Sequence, residues 1–236
     1  MLELNINPTE KHLDEIKNWL KDELDKTGEG FYVHWEMITK AFTEKRLIVA
    51  TKKDSSIGFV VYRIYDLTCV IDIVEIKPTE RKKGIGKKMI KETLKFLKTK
   101  GFSAVELYCS PESSEAFWKK IGFLNFPEFY RDSKINMYKS IIDTLQPTKK
   151  LNSKNVIHLW EDTPNRMRDS KPNWIWNLSF IKNTKVLTKP IIFPAMTNWK
   201  IKLVINEKTI FEDEINYFES VKSYCGSFMI IEEINF

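Results

Sequence analysis

An apolar run, Val74-Glu75-Ile76, leads into a basic turn with two glycines, Arg81-Lys82-Lys83-Gly84-Ile85-Gly86, and from there into a helical pattern. This order of residue types suits the capture of an anion. The first N–H groups of a helix have no intrahelical acceptor and lie at the positive end of the helix dipole. A phosphate can therefore bind there through main chain alone. Gly84 and Gly86 have no Cβ to hold a ligand away. Arg81, Lys82, Lys83, Lys87 and Lys88 add positive charge around the same point, and only Glu80 opposes them. Two nucleotide motifs are excluded. A P-loop needs Ser or Thr after Gly-Lys, but Lys88 follows Gly86-Lys87, and no glycine lies five residues before Gly86. A dinucleotide fingerprint needs a third glycine where Met89 stands.

The elements around this turn follow from periodicity. Alternation at residues 2–6 predicts a strand. Asn7-Pro8-Thr9-Glu10 opens a helix with Leu13, Ile16, Trp19 and Leu20 on one face. A second helix is expected over residues 33–45. Residues 47–51, 57–65 and 68–76 read as three strands joined by tight turns. From Gly84 a helix buries Ile85, Met89, Ile90, Leu94 and Leu97, and Gly101 marks its end. A strand at 104–109, a helix from Pro111 to Gly122 and a last strand at 134–142 complete the order. The strand–helix–strand crossover implies a parallel pair in a mixed, largely antiparallel sheet.

The Arg-x-x-Gly-x-Gly turn between a strand and a helix resembles the acyl-CoA pyrophosphate loop of the GNAT superfamily of N-acetyltransferases. The element order over roughly residues 1–142 is similar to that family's layout. So is Glu115-Ala116-Phe117-Trp118-Lys119-Lys120-Ile121-Gly122-Phe123, which resembles its late helix. The resemblance implies an α/β (α+β) fold and acetyl-CoA as co-substrate, without a metal. It implies main-chain contacts from Val74, Ile76 and Lys77 to the pantetheine arm and acetyl carbonyl. The pyrophosphate is then expected among Arg81, Lys82, Lys83, Gly84, Ile85, Gly86 and Lys87, with Phe117 and Lys120 contributing from the late helix. The strand at 68–76 is expected to splay from the strand at 104–109.

Acetyl transfer to an amine needs a base within reach, directly or through water. Asp72 is the candidate, because a period of two puts it on one face with Val74 and Ile76. Flanking by Ile71 and Ile73 would raise its pKa by desolvation. It reads equally as a structural, hydrogen-bonded carboxylate. Glu75 points to the other face of a regular strand. Trp118 stands where the family usually carries a proton-donating tyrosine, and an indole N–H is no practical acid. Three readings follow: Tyr108 donates, water donates, or the chemistry is lost and an acyl-CoA-binding sensor or interaction protein remains. Trp35, Glu36 and Tyr62 are candidate contacts for a small-molecule or peptide amine, with core packing the alternative for Trp35.

After a polar, Lys-rich linker at 145–155 the sequence turns to short β-like runs punctuated by Pro164, Pro172, Pro190 and Pro194. Residues 1–144 are expected to form the transferase domain, and residues 145–236 a small all-β domain, a sandwich or open barrel. The chain has 236 residues, a net charge of +6 and 42% hydrophobic residues. The charge excess is spread evenly, with 25 basic against 22 acidic residues up to 144 and 13 against 10 beyond. That speaks against a nucleic-acid-binding arm, and the aromatics at Trp160, Trp174, Trp176 and Trp199 suit a core or interface better than base stacking. A homodimer would fit that apolar surface, and the second domain is expected to shape acceptor access. Cys69, Cys109 and Cys225 are far apart and odd in number, so no disulfide framework is expected. No cysteine or histidine pair has zinc spacing. No apolar run has the length of a membrane span, and the first residues lack a signal-peptide pattern. The expected compartment is the cytoplasm.

Overall fold

The computed structural model describes residues 2–128, 135–167 and 170–235. It divides into two units, Met1–Leu124 and Asn125–Phe236. The expected boundary at 144/145 thus falls inside the second unit.

In the first unit β1 (Glu3–Asn5) precedes α1 (Glu10–Thr27), whose apolar residues at helical spacing, Leu13, Ile16, Trp19 and Leu20, are all buried. His12 fixes the start of α1, its Nδ1 accepting the Thr9 N–H at 3.1 Å. Gly28, with φ of 72°, ends it in the left-handed conformation that favours glycine. A single 3-10 turn at Phe31–His34 then leads into α2 (Trp35–Thr43), so the second helix starts two residues later than its sequence pattern predicts. Strands β2 (Leu47–Lys52), β3 (Ser55–Tyr65) and β4 (Thr68–Ile76) form the expected meander. Helix α3 (Ile85–Thr99) crosses to β5 (Ala104–Tyr108), and α4 (Glu115–Ile121) follows.

The sheet of this unit runs β1-β2-β3-β4-β5. Its pairs are antiparallel except β4–β5, which is parallel and joined through α3. Leu13, Ile16, Leu20 and Ile38 of α1 and α2 pack on Val49, Phe59 and Ile73 from one face. On the other face Met89 of α3 meets Gly58 of β3 and Ile76 of β4. A Cβ at Gly58 would lie 2.6 Å from the Ile76 side chain and 2.8 Å from the Glu75 carbonyl oxygen. Only glycine lets β3 and β4 approach this closely.

The pairing of β3 with β4 carries one irregularity that matters for the site. Val61 lies opposite Ile73 and Tyr62 opposite Ile71, which leaves Asp72 without a residue across from it. This is a β-bulge, one extra residue on β4. It interrupts the alternation of faces, so Asp72 does not share a face with Val74 and Ile76 as a regular strand would require.

In the second unit β6 (Leu124–Asn125) begins at the division, and β7 (Asn136–Ser140) is the described part of the strand expected at 134–142; Lys134 lies outside the described residues. A four-stranded sheet has the order β12-β11-β8-β9, from β8 (Val156–Leu159), β9 (Trp174–Asn177), β11 (Lys200–Ile205) and β12 (Lys208–Glu214). A three-stranded sheet has the order β10-β14-β13, from β10 (Val186–Pro194), β13 (Lys222–Cys225) and β14 (Phe228–Glu233). Residues of both sheets share one core that includes Ile157, Trp176, Phe193, Trp199, Ile201 and Ile231. The β-rich expectation holds, and Trp176 and Trp199 fill the core, each 1% exposed.

Candidate active site

The ladder between β4 and β5 runs from Thr68 opposite Ala104 to Val70 opposite Glu106. Beyond it β4 continues through Ile76 along β3 alone, so its second half parts from β5 as expected. The Lys77 N–H donates to the Ile57 carbonyl at 2.9 Å, and Gly58 lies opposite Ile76. In an antiparallel pair this alternates the main chain. Ile73, Glu75 and Lys77 turn their polar groups to β3, while Val74 and Ile76 turn theirs away from it, and those of Ile76 are taken by the Glu75 carboxylate and the Arg81 guanidinium. Lys77 therefore departs from its expected role: its N–H is spent on Ile57, and its carbonyl accepts the Glu80 N–H at 2.8 Å.

Two clefts meet at this opening and share Val74, Glu75 and Phe117. The first, of about 400 Å³, is walled by Ile76, Arg81, Lys82, Gly84, Ile85, Gly86 and Lys87. Here α3 begins. Gly84 has φ of 75° and its carbonyl accepts the first helical bond, from Lys88 N–H at 3.2 Å. The amides of Ile85, Gly86 and Lys87 thus have no intrahelical acceptor, an arrangement suited to an anion. Gly86 faces Phe117, where a Cβ would reach to 3.5 Å. Lys82 and Lys87 extend their charges into solvent at the rim. Lys83 does not line this cleft; its Nζ donates to the Thr79 carbonyl at 2.6 Å and pairs with Glu80 at 3.3 Å.

Arg81 lines the cleft but its guanidinium is turned inward. Nε donates to the Ile76 carbonyl at 2.9 Å. Nη2 lies 3.0 Å from Glu75 Oε1 and 2.6 Å from Glu23 Oε1 of α1.

The second cleft, of about 220 Å³, lies between the parted strands. Ile71, Asp72, Val74 and Glu75 line it from β4, Leu107 and Tyr108 from β5, and Phe117 and Trp118 from α4, while Phe31 and His34 of the 3-10 turn close one side. Among the described residues no Lys or Arg lines it. Glu75 is its most perturbed carboxylate. Burial raises its pKa above the ordinary value of 4.5 and the repulsion of Glu23 adds to this; the Ile76 N–H at 2.7 Å and the Arg81 charge pull the other way. Asp72 is held differently. Arg63 Nε and Nη2 donate to both its oxygens at 2.8–3.0 Å, and its side chain is 7% exposed.

The remaining candidates scatter. Tyr108 lines the second cleft and is largely exposed. Lys120 is exposed and lines neither cleft. Tyr62 is buried in the sheet, where burial raises its phenol pKa, and Trp35 packs on the α1–α2 core with Tyr32 stacked on it. Glu36 is exposed, and none of these three lines either cleft. The aromatic wall expected of Trp35 is instead supplied by Phe31 and His34. Gly28 and Gly30 mark a break that could have pointed to that turn. Trp118 is buried edge-on between Phe117 and Phe123.

Among the described residues no group of three potential ligands could hold a metal ion, and no helix is long and apolar enough to cross a membrane.

The fold and site define an α/β protein whose parted parallel strands lie beside a glycine-capped helix start. Residues 13–123 match the model of the Acetyltransferase (GNAT) family. No curated protein matches the sequence significantly. Among solved structures, the chain is similar to a PaiA N-acetyltransferase from Thermoplasma acidophilum in complex with coenzyme A, at 19% identity and a TM-score of 0.47, over 59% of this chain and 99% of that one. An aminoglycoside 6'-N-acetyltransferase complexed with coenzyme A gives 12% and 0.49, over 62% and 99%. An acetyltransferase of the GNAT family from Staphylococcus aureus gives 12% and 0.49, over 60% and 100%. The family match ends at Phe123, ahead of the second unit.

Proposed function

We propose that the chain moves an acetyl group from acetyl-CoA to a primary amine of a small molecule or peptide, by direct attack in a ternary complex. One observation carries this reading. The opening between β4 and β5 joins an anion-binding helix start to a second cleft that holds a buried carboxylate with raised proton affinity. The free amides of α3 and the glycine-lined wall facing Phe117 suit a pyrophosphate and its pantetheine arm. Acetyl-CoA, when bound, supplies an acyl thioester. The outward main chain of Val74 is placed to orient its carbonyl, since both Ile76 groups are already bonded, the N–H to Glu75 and the carbonyl to Arg81.

Glu75, in place of Asp72, is the group we assign as general base. Both Asp72 oxygens are occupied by the Arg63 fork, so Asp72 is better suited to hold the bulge. An amine entering the second cleft as its ammonium meets Glu75, whose only close cation among the described residues is the Arg81 guanidinium, 3.0 Å from Oε1 and shared with Glu23. Glu75 takes the proton, directly or through one water, and the freed nitrogen attacks the thioester carbon. The C–N bond forms, the C–S bond breaks, and the departing thiolate takes a proton from the Tyr108 phenol or from water. Phe31, His34 and Phe117 would hold the body of the acceptor. The second reading, an acyl-CoA-binding protein without turnover, is favoured only by Trp118. Release of free CoA thiol with a panel of amines separates the two: turnover supports transfer, and tight acetyl-CoA binding with no amine-dependent release supports the alternative. We also place the protein in a reducing compartment, the cytoplasm, a reading supported by the free thiols at Cys69 and Cys109.

A further inference from the structure

Glu23 belongs to α1, outside the lining of the second cleft, yet its carboxylate reaches the site through Arg81. Its Oε1 lies 2.6 Å from Arg81 Nη2, the same nitrogen that lies 3.0 Å from Glu75 Oε1. Its side chain is 11% exposed, and Oε2 is buried without a hydrogen-bond partner. Gly30 packs over it, at φ of 121°, where a Cβ would come within 3.5 Å of Glu23 Cγ. One cation thus serves two carboxylates, and the trio carries one net negative charge when all are ionised.

We propose that Glu23 is a positioning residue: its share in Arg81 fixes the guanidinium against β4 and keeps it from fully neutralising Glu75, so Glu75 stays available to take the proton of the amine. The inference rests on the assignment of Glu75 as base. The groups that face Glu75 are few. Arg81 comes from the loop, Glu23 from α1, the Ile76 N–H from its own strand, Asp72 with its Arg63 partner from the bulge, His34 from the 3-10 turn and Tyr108 from β5. Lys82, Lys87 and Glu80 flank it on the side of the first cleft. Of these only Glu23 competes with Glu75 for the cation that touches it. A neutral side chain at 23 leaves Arg81 to Glu75 alone and removes the repulsion between the carboxylates, and both changes favour the ionised form of Glu75.

The test is Glu23→Gln, which keeps the shape and one acceptor for Arg81. The Glu75 carboxyl is titrated by carbon NMR in the protein without ligand, with its signal assigned by its loss in Glu75→Gln. The Glu75 midpoint is expected to fall by about one pH unit, and the acidic limb of kcat/KM to move the same way. Acetyl-CoA affinity by calorimetry is expected to stay within about twofold, since the α3 amides are untouched. An unmoved Glu75 midpoint in a variant that melts as a folded protein overturns the inference. Glu23→Ser serves as second variant should Glu23→Gln not fold, and the same midpoint decides. Absence of any amine-dependent CoA release by the wild-type protein would instead count against acetyl transfer, and the NMR midpoint would still decide what Glu23 does.

Discussion

Glu75 and Asp72 are three residues apart on one strand and have different surroundings. Glu75 is buried with raised proton affinity; Asp72 is saturated by a guanidinium fork. Glu75→Gln should lower kcat by about 10²- to 10⁴-fold, the range of a general base, with acetyl-CoA affinity retained in calorimetry. It should also change the pH dependence of stability. Because the folded-state pKa of Glu75 is raised, its contribution to stability is full below the unfolded value near 4.5 and is lost as pH rises through the folded value. The variant lacks that loss, so its stability relative to wild type should improve from pH 4 to pH 7 in urea titrations. Asp72→Asn should do the opposite, costing about 1–3 kcal/mol of stability through the weakened Arg63 fork while acetyl transfer persists in the folded fraction. The sequence could not separate these two residues. A period of two assigns faces only to a regular strand, and the extra residue that breaks the period leaves no mark in the composition of residues 68–76.

At the scale of elements, the turn into α3 was legible because its glycines stand where the helix begins, Gly84 in the left-handed conformation. The close approach of β3 and β4 was not. Gly58 sits in an apolar strand and its need appears only in the partner atoms. Gly58→Ala should cost about 1–3 kcal/mol, since the Glu75 carbonyl at 2.8 Å is backbone and cannot turn away; thermal melting checks this. Gly86→Ala should leave the melting point nearly unchanged, because its Cβ meets Phe117 at ordinary contact distance. It should weaken acetyl-CoA binding, read by calorimetry, because it narrows the first cleft. Strand β10 was missed for another reason. Pro190 and Pro194 read as loop punctuation, yet β10 is an edge strand with a register shift between Val186 and Ile191. A proline can stand there without breaking a ladder bond.

For the whole molecule, the first unit announces its chemistry in short motifs, while the second spends its conspicuous residues on packing. Trp174 stacks on Trp199 at 5.7 Å, and Trp176 meets Phe193 edge-on at 5.3 Å. The basic–aromatic pairing of Lys200 over Trp160 is closed by an ion pair from Lys200 to Glu212 at 2.8 Å. Such residues are legible as core formers and carry no statement of a partner. Trp199→Ala should cost about 3–5 kcal/mol, seen as faster amide exchange across residues 156–233. The expected boundary at 144/145 followed the polar linker. The compact units divide at Asn125 instead, because Phe126 and Tyr138 pack with Phe228 of the second unit.

The outward main chain of Val74 and the free amides at the start of α3 have a consequence for mutational drift. A ligand held by backbone is held by atoms that every residue except proline possesses. Substitutions at 74, 76, 82 and 83 that keep strand and turn geometry should therefore be nearly neutral for acetyl-CoA affinity. The tight constraint falls on a few conformational positions, Gly58 and Gly84 foremost. A saturation library over residues 81–87, sorted on acetyl-CoA binding, should return a broad spread of side chains with Gly84 and Gly86 retained, which makes this surface a tolerant starting point for retargeting the acceptor cleft.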